Sequence, residues 1–107
     1  MHKRPTALEC LHALVLGLDL ARRHELAREL ERAASHLTAL ADRRAAEERA
    51  AKYWCASMGR EYVPTEPKWA GRCSCGAGVL ELTREVAVCA PCLREQAQRV
   101  RAGEVAA

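Results

Sequence analysis

The chain has no phenylalanine and only two tryptophans and two tyrosines among its 107 residues. A large aromatic core is therefore excluded, and small packed units are expected instead. No run approaches the roughly 20 apolar residues that a membrane-spanning helix needs. The opening Met1-His2-Lys3-Arg4-Pro5 leads into an apolar stretch interrupted by Glu9, His12 and Asp19. No secretory signal is expected, and a cytoplasmic, reducing location is. A glycine-rich phosphate loop, a metalloprotease helix and a nucleophile elbow are also missing from the sequence. With no catalytic constellation, a non-enzymatic protein is expected.

Glycine and proline are sparse, and their positions divide the chain. Gly59, Pro64, Pro67 and Gly71 predict a helical region over 1–58, a linker over 59–70, a compact module over 71–103 and a tail over 104–107. In the first region, Thr6 and Glu9 form a capping box for a short helix with an apolar face of Leu8, Leu11, Leu14, Val15 and Leu18. Gly17 is expected to interrupt it, letting the short helix fold back. A long helix from about Asp19 to about Ser57 follows; a break near Ala41-Asp42 would make it a helical hairpin, but no glycine or proline enforces one. Leu26, Leu30, Ala33, Leu37 and Leu40 alternate steps of four and three, the spacing of a coiled-coil seam. The first helix, a second copy of the chain or a partner helix would cover that seam. Beyond it, Arg43/Glu47, Arg44/Glu48 and Glu48/Lys52 stand at i,i+4 spacing to support an exposed helix.

The strongest signal lies in the last third, where Cys73-Ser74-Cys75-Gly76 is followed after twelve residues by Cys89-Ala90-Pro91-Cys92. Each close pair fixes two thiolates locally, and four thiolates satisfy a tetrahedral zinc ion, so one structural Zn²⁺ on Cys73, Cys75, Cys89 and Cys92 is expected. Disulfide-bonded or free thiols are the competing reading, favoured by the one-residue spacer of the first pair. A module of about 35 residues buries too little apolar surface to fold unaided, which is the physical reason for a metal staple. Val79–Leu82 and Val86–Val88, flanking Thr83-Arg84-Glu85, predict a hairpin. Pro91 begins a helix that carries Cys92 in its first turn, buries Leu93, Ala97 and Val100, and ends at Gly103. Knuckle, hairpin and helix make a treble-clef-like finger, and the fold class is mainly α. Cys10 and Cys55 are expected to be inert buried thiols, and His12, His24 and His36 to be surface or interface residues.

The formal net charge is +3. Four thiolates and one divalent cation together change it by about −2, to about +1, leaving almost no global basic field. A nucleic-acid-binding zinc finger, the alternative function, would need a local patch of Arg72, Arg84, Arg94, Arg99 and Arg101, which Glu81, Glu85, Glu95 and Glu104 dilute. Tyr53, Trp54, Tyr62 and Trp69 cluster near the linker. They either anchor the finger on the helix end or, through Trp54 and Trp69, form a recognition surface together with Leu26, Leu30, Leu37 and Leu40.

The residues Cys75-Gly76, Val79, Arg84, Cys89 and Cys92, with the polar helix Leu93-Arg94-Glu95-Gln96, resemble the carboxy-terminal finger of the DksA/TraR family. These are small bacterial, plasmid and phage regulators that bind RNA polymerase through its secondary channel. The resemblance covers roughly the last third. It implies a zinc-stapled regulator or adaptor whose partner is a protein, with RNA polymerase the first candidate. The chain departs from the family in its C-x-C first pair, its shorter intervening segment and the lack of an acidic tip motif; Asp42, near a conceivable tip, stands beside Arg43 and Arg44.

Overall fold

Ala, Leu, Arg and Glu dominate the stretch from Ala7 to Ser57, which contains no proline, and their summed propensities favour one helix. The computed structural model, which describes residues 7–103, contains that helix as α1 (Ala7–Ser57), 51 residues long. At 1.5 Å per residue it spans about 76 Å and sets the long axis of a molecule measuring 85 × 24 × 17 Å.

The expected break at Gly17 is absent, and so is the separate short helix. α1 runs straight through Gly17, and nothing packs within 4 Å of where its Cβ would stand. One interior glycine costs a helix about 1 kcal/mol, too little to stop it between leucines. α1 also passes through Ala41-Asp42, so no helical hairpin forms there. Thr6 of the expected capping box lies outside the described residues, as do the side chains of Glu9, His12, Leu14, Val15 and Leu18.

α1 ends in a Schellman motif. Gly59 takes a left-handed φ of 66°, and the N–H groups of Arg60 and Gly59 donate to the carbonyls of Cys55 (2.8 Å) and Ala56 (3.3 Å). The linker then returns along α1, where the Tyr62 hydroxyl donates to Glu48 Oε1 (3.3 Å) and Arg44 Nη2 donates to the Thr65 carbonyl (2.9 Å). Of the expected i,i+4 pairs, Glu48 and Lys52 meet at 3.6 Å, whereas Arg44 is drawn to the linker.

Two strands follow, β1 (Gly71–Arg72) and β2 (Gly78–Val79), antiparallel with Gly71 opposite Val79 and Arg72 opposite Gly78. This hairpin encloses the first cysteine pair. It is not the hairpin predicted from Val79–Leu82 and Val86–Val88, which shrinks to a single bridge, Thr83 to Val86. Arg84 and Glu85 close that bridge with positive φ at both positions, 51° and 64°, the geometry of a type I′ turn. The flanking side chains bond to α1: Arg84 Nη2 to Glu29 Oε2 at 2.8 Å and Glu81 Oε2 to His36 Nε2 at 2.7 Å. With Val88 turned into the core beside α1, the segment follows the helix and no longer ladder forms.

α2 (Ala90–Arg101) has Pro91 in its first turn and ends at Ala102, before Gly103 with φ of 75°. Leu93, Ala97 and Val100 are buried as their spacing predicts, against Ala27, Leu30, Ala34 and Leu37 of α1; Leu26, Ala33 and Leu40 flank them. The leucine seam is therefore covered within the chain by α2. Ala27 and Ala34 at the contact, both fully buried, let the two helices approach closely. The helices are antiparallel, with Arg94 bonded to Thr38 (2.9 Å) near one end and Arg101 bidentate on Glu31 near the other.

Candidate metal centre

The four cysteines converge because three local structures aim them at one point. The β1–β2 hairpin carries Cys73 and Cys75 in its tip, where Cys73 N–H donates to the Ala77 carbonyl (2.7 Å) and Gly76 N–H to the Cys73 carbonyl (2.9 Å). Gly76 takes a φ of 96°, open to glycine and unfavourable to other residues, and so turns the chain behind the pair. Cys89 is the N-cap residue of α2 with extended backbone, and Cys92 follows in the first turn. The Cys89 side chain makes no cap hydrogen bond and is left for the cluster.

All four Sγ atoms lie within 4.8 Å of one another, and Cys75 Sγ stands 3.5 Å from Cys89 Sγ. A tetrahedral tetrathiolate site with metal–sulfur bonds of about 2.3 Å has sulfur–sulfur edges of about 3.8 Å, whereas a disulfide holds its sulfurs about 2.05 Å apart. The thiols are unbonded and spaced as ligands, close enough to hold one metal ion. Cys73 and Cys89 are buried, Cys92 is half-buried and Cys75 is exposed, so the centre opens to solvent on the Cys75 side. Val79 is buried between Cys73 and Cys89.

Electrostatics separates the thiols. The backbone N–H groups of Cys75 and Cys89, outweighing burial, lower Cys73 from 9.0 to about 6. Cys92 is pushed up to about 12, because its proton is shared with Cys89 first and then with Cys73 and Cys75. For Cys89 the Cys92 backbone N–H pulls the pKa down, but burial and the donor demands of Cys75 and Cys73 prevail and it rises. One thiolate is thus preformed at neutral pH, and an arriving cation displaces protons from Cys89 and Cys92.

The remaining candidates are placed differently. Against the expectation of buried thiols, Cys10 is exposed and Cys55 half-buried, because α1 carries both away from the α1–α2 contact; neither joins the four-cysteine cluster, the one such group among the described residues. His24 is exposed, and His36 meets Glu81. Leu30 and Leu37 are in the α1–α2 core, with Leu26 and Leu40 at its margin. Trp54 lies at the far end of α1 with the Arg60 guanidinium 5.4 Å from its ring centroid, and Lys52 stands equally far from the Tyr62 ring. Trp69 packs on Gly78 so closely that a Cβ there would come 2.5 Å from the indole. Of the five candidate arginines, Arg72 bonds to the Gly76 carbonyl (3.2 Å), Arg84 to Glu29, Arg94 to Thr38 and Arg101 to Glu31, and Arg99 also has a partner. They do not form one cluster of unpaired charge. Sequence reasoning missed that α2 is the occupant of the leucine seam, although the matching apolar spacings of 26–40 and 93–100 were the signal.

No described helix is long and apolar enough to cross a membrane. Compared with protein-family models, curated proteins and solved structures, the chain matches none.

Proposed function

We propose that this protein is a non-enzymatic regulator or adaptor, stapled by one structural zinc ion, that binds a protein partner along α1 and the junction of linker and finger. The observation that carries this reading is the convergence of four thiols within 4.8 Å at the start of α2. Four sulfur donors and no oxygen favour zinc among the common cations of a reducing compartment and complete its tetrahedron, leaving no position for an activated water. The zinc then joins the knuckle to the first turn of α2 in a treble-clef-like finger, while the apolar face of α2 fixes that finger to α1. The result is a stiff rod with a rigid appendage, suited to presenting surface rather than to chemistry. Exposed apolar residues at the end of α1 and in the linker include Tyr53 (78% exposed), Trp54, Met58 and Val63, and aromatic residues of this kind anchor protein interfaces. The transcription machinery, RNA polymerase first, is the candidate partner on the resemblance of the cysteine finger to DksA/TraR regulators.

Native mass spectrometry of the reduced protein tests the staple, and binding to purified RNA polymerase tests the partner. One zinc per chain and, after cobalt substitution, the absorption of a closed tetrathiolate site are expected. No bound metal, or a spectrum with an open coordination position, overturns the structural-zinc reading. Absence of polymerase binding by the metal-loaded protein removes that partner.

A further inference from the structure

A groove of about 450 Å³ lies between α1, the end of the linker and the start of α2. Its floor is made by Leu37, Ala41 and Ala45 of α1, two of them alanines where a larger residue would fill the space. Trp69 forms one wall. Its indole rests against Gly78, where a Cβ would stand 2.5 Å from the ring, yet it remains 43% exposed. The ring is thus held in place with surface to spare. Ala90 and Pro91, where α2 begins, also line the groove.

The rim is cationic. Arg44 and Arg94 both line the groove, held by single bonds from Nη2 to the Thr65 carbonyl and to Thr38 Oγ1 respectively. A guanidinium has five N–H donors, so each retains donors for a ligand. The one carboxylate in the lining, Glu48, already accepts from Tyr62 and pairs with Lys52. Cys89 also lines the groove at the start of α2; its thiol cluster takes up the positive end of that helix, so the cationic rim rests on the two arginines. An apolar slot with a rigid aromatic wall and two arginines calls for an apolar side chain beside carboxylates. A nucleobase would find few polar partners for its edges on a floor of alanine and leucine.

We infer that this groove binds an acidic peptide segment of a partner protein, taking a leucine-sized or aromatic side chain between Trp69 and Pro91 and pairing flanking Asp or Glu carboxylates with Arg44 and Arg94. This rests on the reading of the protein as an adaptor for a protein partner and names the chemistry of that partner. It does not depend on which metal fills the cysteine centre. A second cavity of about 460 Å³ shares Arg44 and Glu48, adds Glu47 and reaches Trp54 and Val63. A peptide can extend along both, which a small metabolite cannot.

The test is selection of displayed random dodecapeptides on the full-length, metal-loaded protein, followed by fluorescence anisotropy with the fluorescein-labelled consensus. Enriched peptides are expected to carry an apolar anchor beside acidic residues. Their affinity should fall at least tenfold in Ala45→Leu, which fills the floor with a good helix former, and similarly in the charge reversal Arg44→Glu/Arg94→Glu. Metal stoichiometry and helicity of each variant are measured on the same samples, and Ala41→Leu replaces Ala45→Leu if the latter alters them. Failure to enrich any peptide, enrichment of basic ones, or affinity indifferent to filling the floor overturns the inference. A labelled single-stranded oligonucleotide that binds and is lost in Ala45→Leu overturns the peptide as occupant. Zinc loading and polymerase binding are separate measurements, so failure of the groove and failure of the adaptor reading are distinguishable.

Discussion

The two cores of this protein are built from opposite materials. Between α1 and α2 the buried residues are Ala27, Leu30, Ala34, Leu37, Leu93, Ala97 and Val100, a seam of ordinary aliphatic side chains. In the finger they are Cys73, Cys89 and Val79, so two of the three are metal-ligand candidates. Val88 touches both and is a mechanical link between them. The first core draws its stability from apolar area removed from water, which needs only the chain itself. The second buries so little that the four thiols crowd together without compensation unless a cation neutralises them. One chain thus uses the hydrophobic effect where helices supply long faces, and gathers four thiols close enough to hold a metal ion where two-residue strands supply no such face.

The largest effect should come from taking the metal away. Apparent zinc-binding free energies of structural sites are about 10–16 kcal/mol near neutral pH, so chelation or Cys89→Ser should abolish amide protection across 71–89 while α1 keeps most of its helical circular dichroism. Retained protection with no metal bound would show that the finger core stands alone. The pH dependence follows from the thiols. Cys89 and Cys92 lie above 9.0 and hold protons at pH 7, whereas Cys73, at about 6, does not. Metal binding at pH 7 must therefore release protons from Cys89 and Cys92, and affinity must fall as pH falls, with a further proton to displace from Cys73 below about 6. Proton release in weak buffer and competition titrations across pH 5.5–8 check the sign.

Next in size is the helix seam. Leu93 is 1% exposed, and truncating such a leucine costs about 2–5 kcal/mol. Leu93→Ala should lower the thermal midpoint sharply yet leave metal stoichiometry intact, separating the two cores; loss of metal along with stability would mean that they fold as one.

Gly78→Ala probes the boundary between finger and linker. Its methyl group would stand 2.5 Å from the Trp69 indole, so the ring must move, at a cost of about 1–3 kcal/mol. A shift in tryptophan emission with little change in helicity is expected. An unchanged emission spectrum would place the ring elsewhere in solution.

The smallest effect is a gain. Glu85 holds a φ of 64° in the turn beside Arg84, a conformation that costs a non-glycine residue about 1 kcal/mol. Glu85→Gly should raise stability by about that amount in urea titrations, and a loss would show that the Glu85 side chain contributes more than its backbone strain.

Much of this was legible in the chain itself. The four cysteines, Pro91 opening α2 and the buried triplet Leu93, Ala97 and Val100 are local matters of spacing and turn chemistry, and the structure follows them. The end of α1 beside Gly59 was equally readable, because a left-handed glycine stops a helix by its own conformation. Gly17 misled because its cost is small against the propensity of its neighbours. The predicted hairpin after Val79 misled because alternating valines and leucines indicate which residues are apolar, not which element they face.

The amino-acid sequence by itself determined most of the elements and the candidate ligands: a long helix over 19–57, a glycine-turned knuckle, a short carboxy-terminal helix and four thiols at metal-binding spacing. Tertiary structure alone decided that the leucine seam belongs to α2, that Arg84 and Arg101 pair with α1, and that Trp69 and the alanines of α1 enclose a groove. The physical reason is that periodicity marks a face as apolar without naming what covers it. That choice depends on which surfaces the linker brings into contact, up to 70 residues apart in the chain.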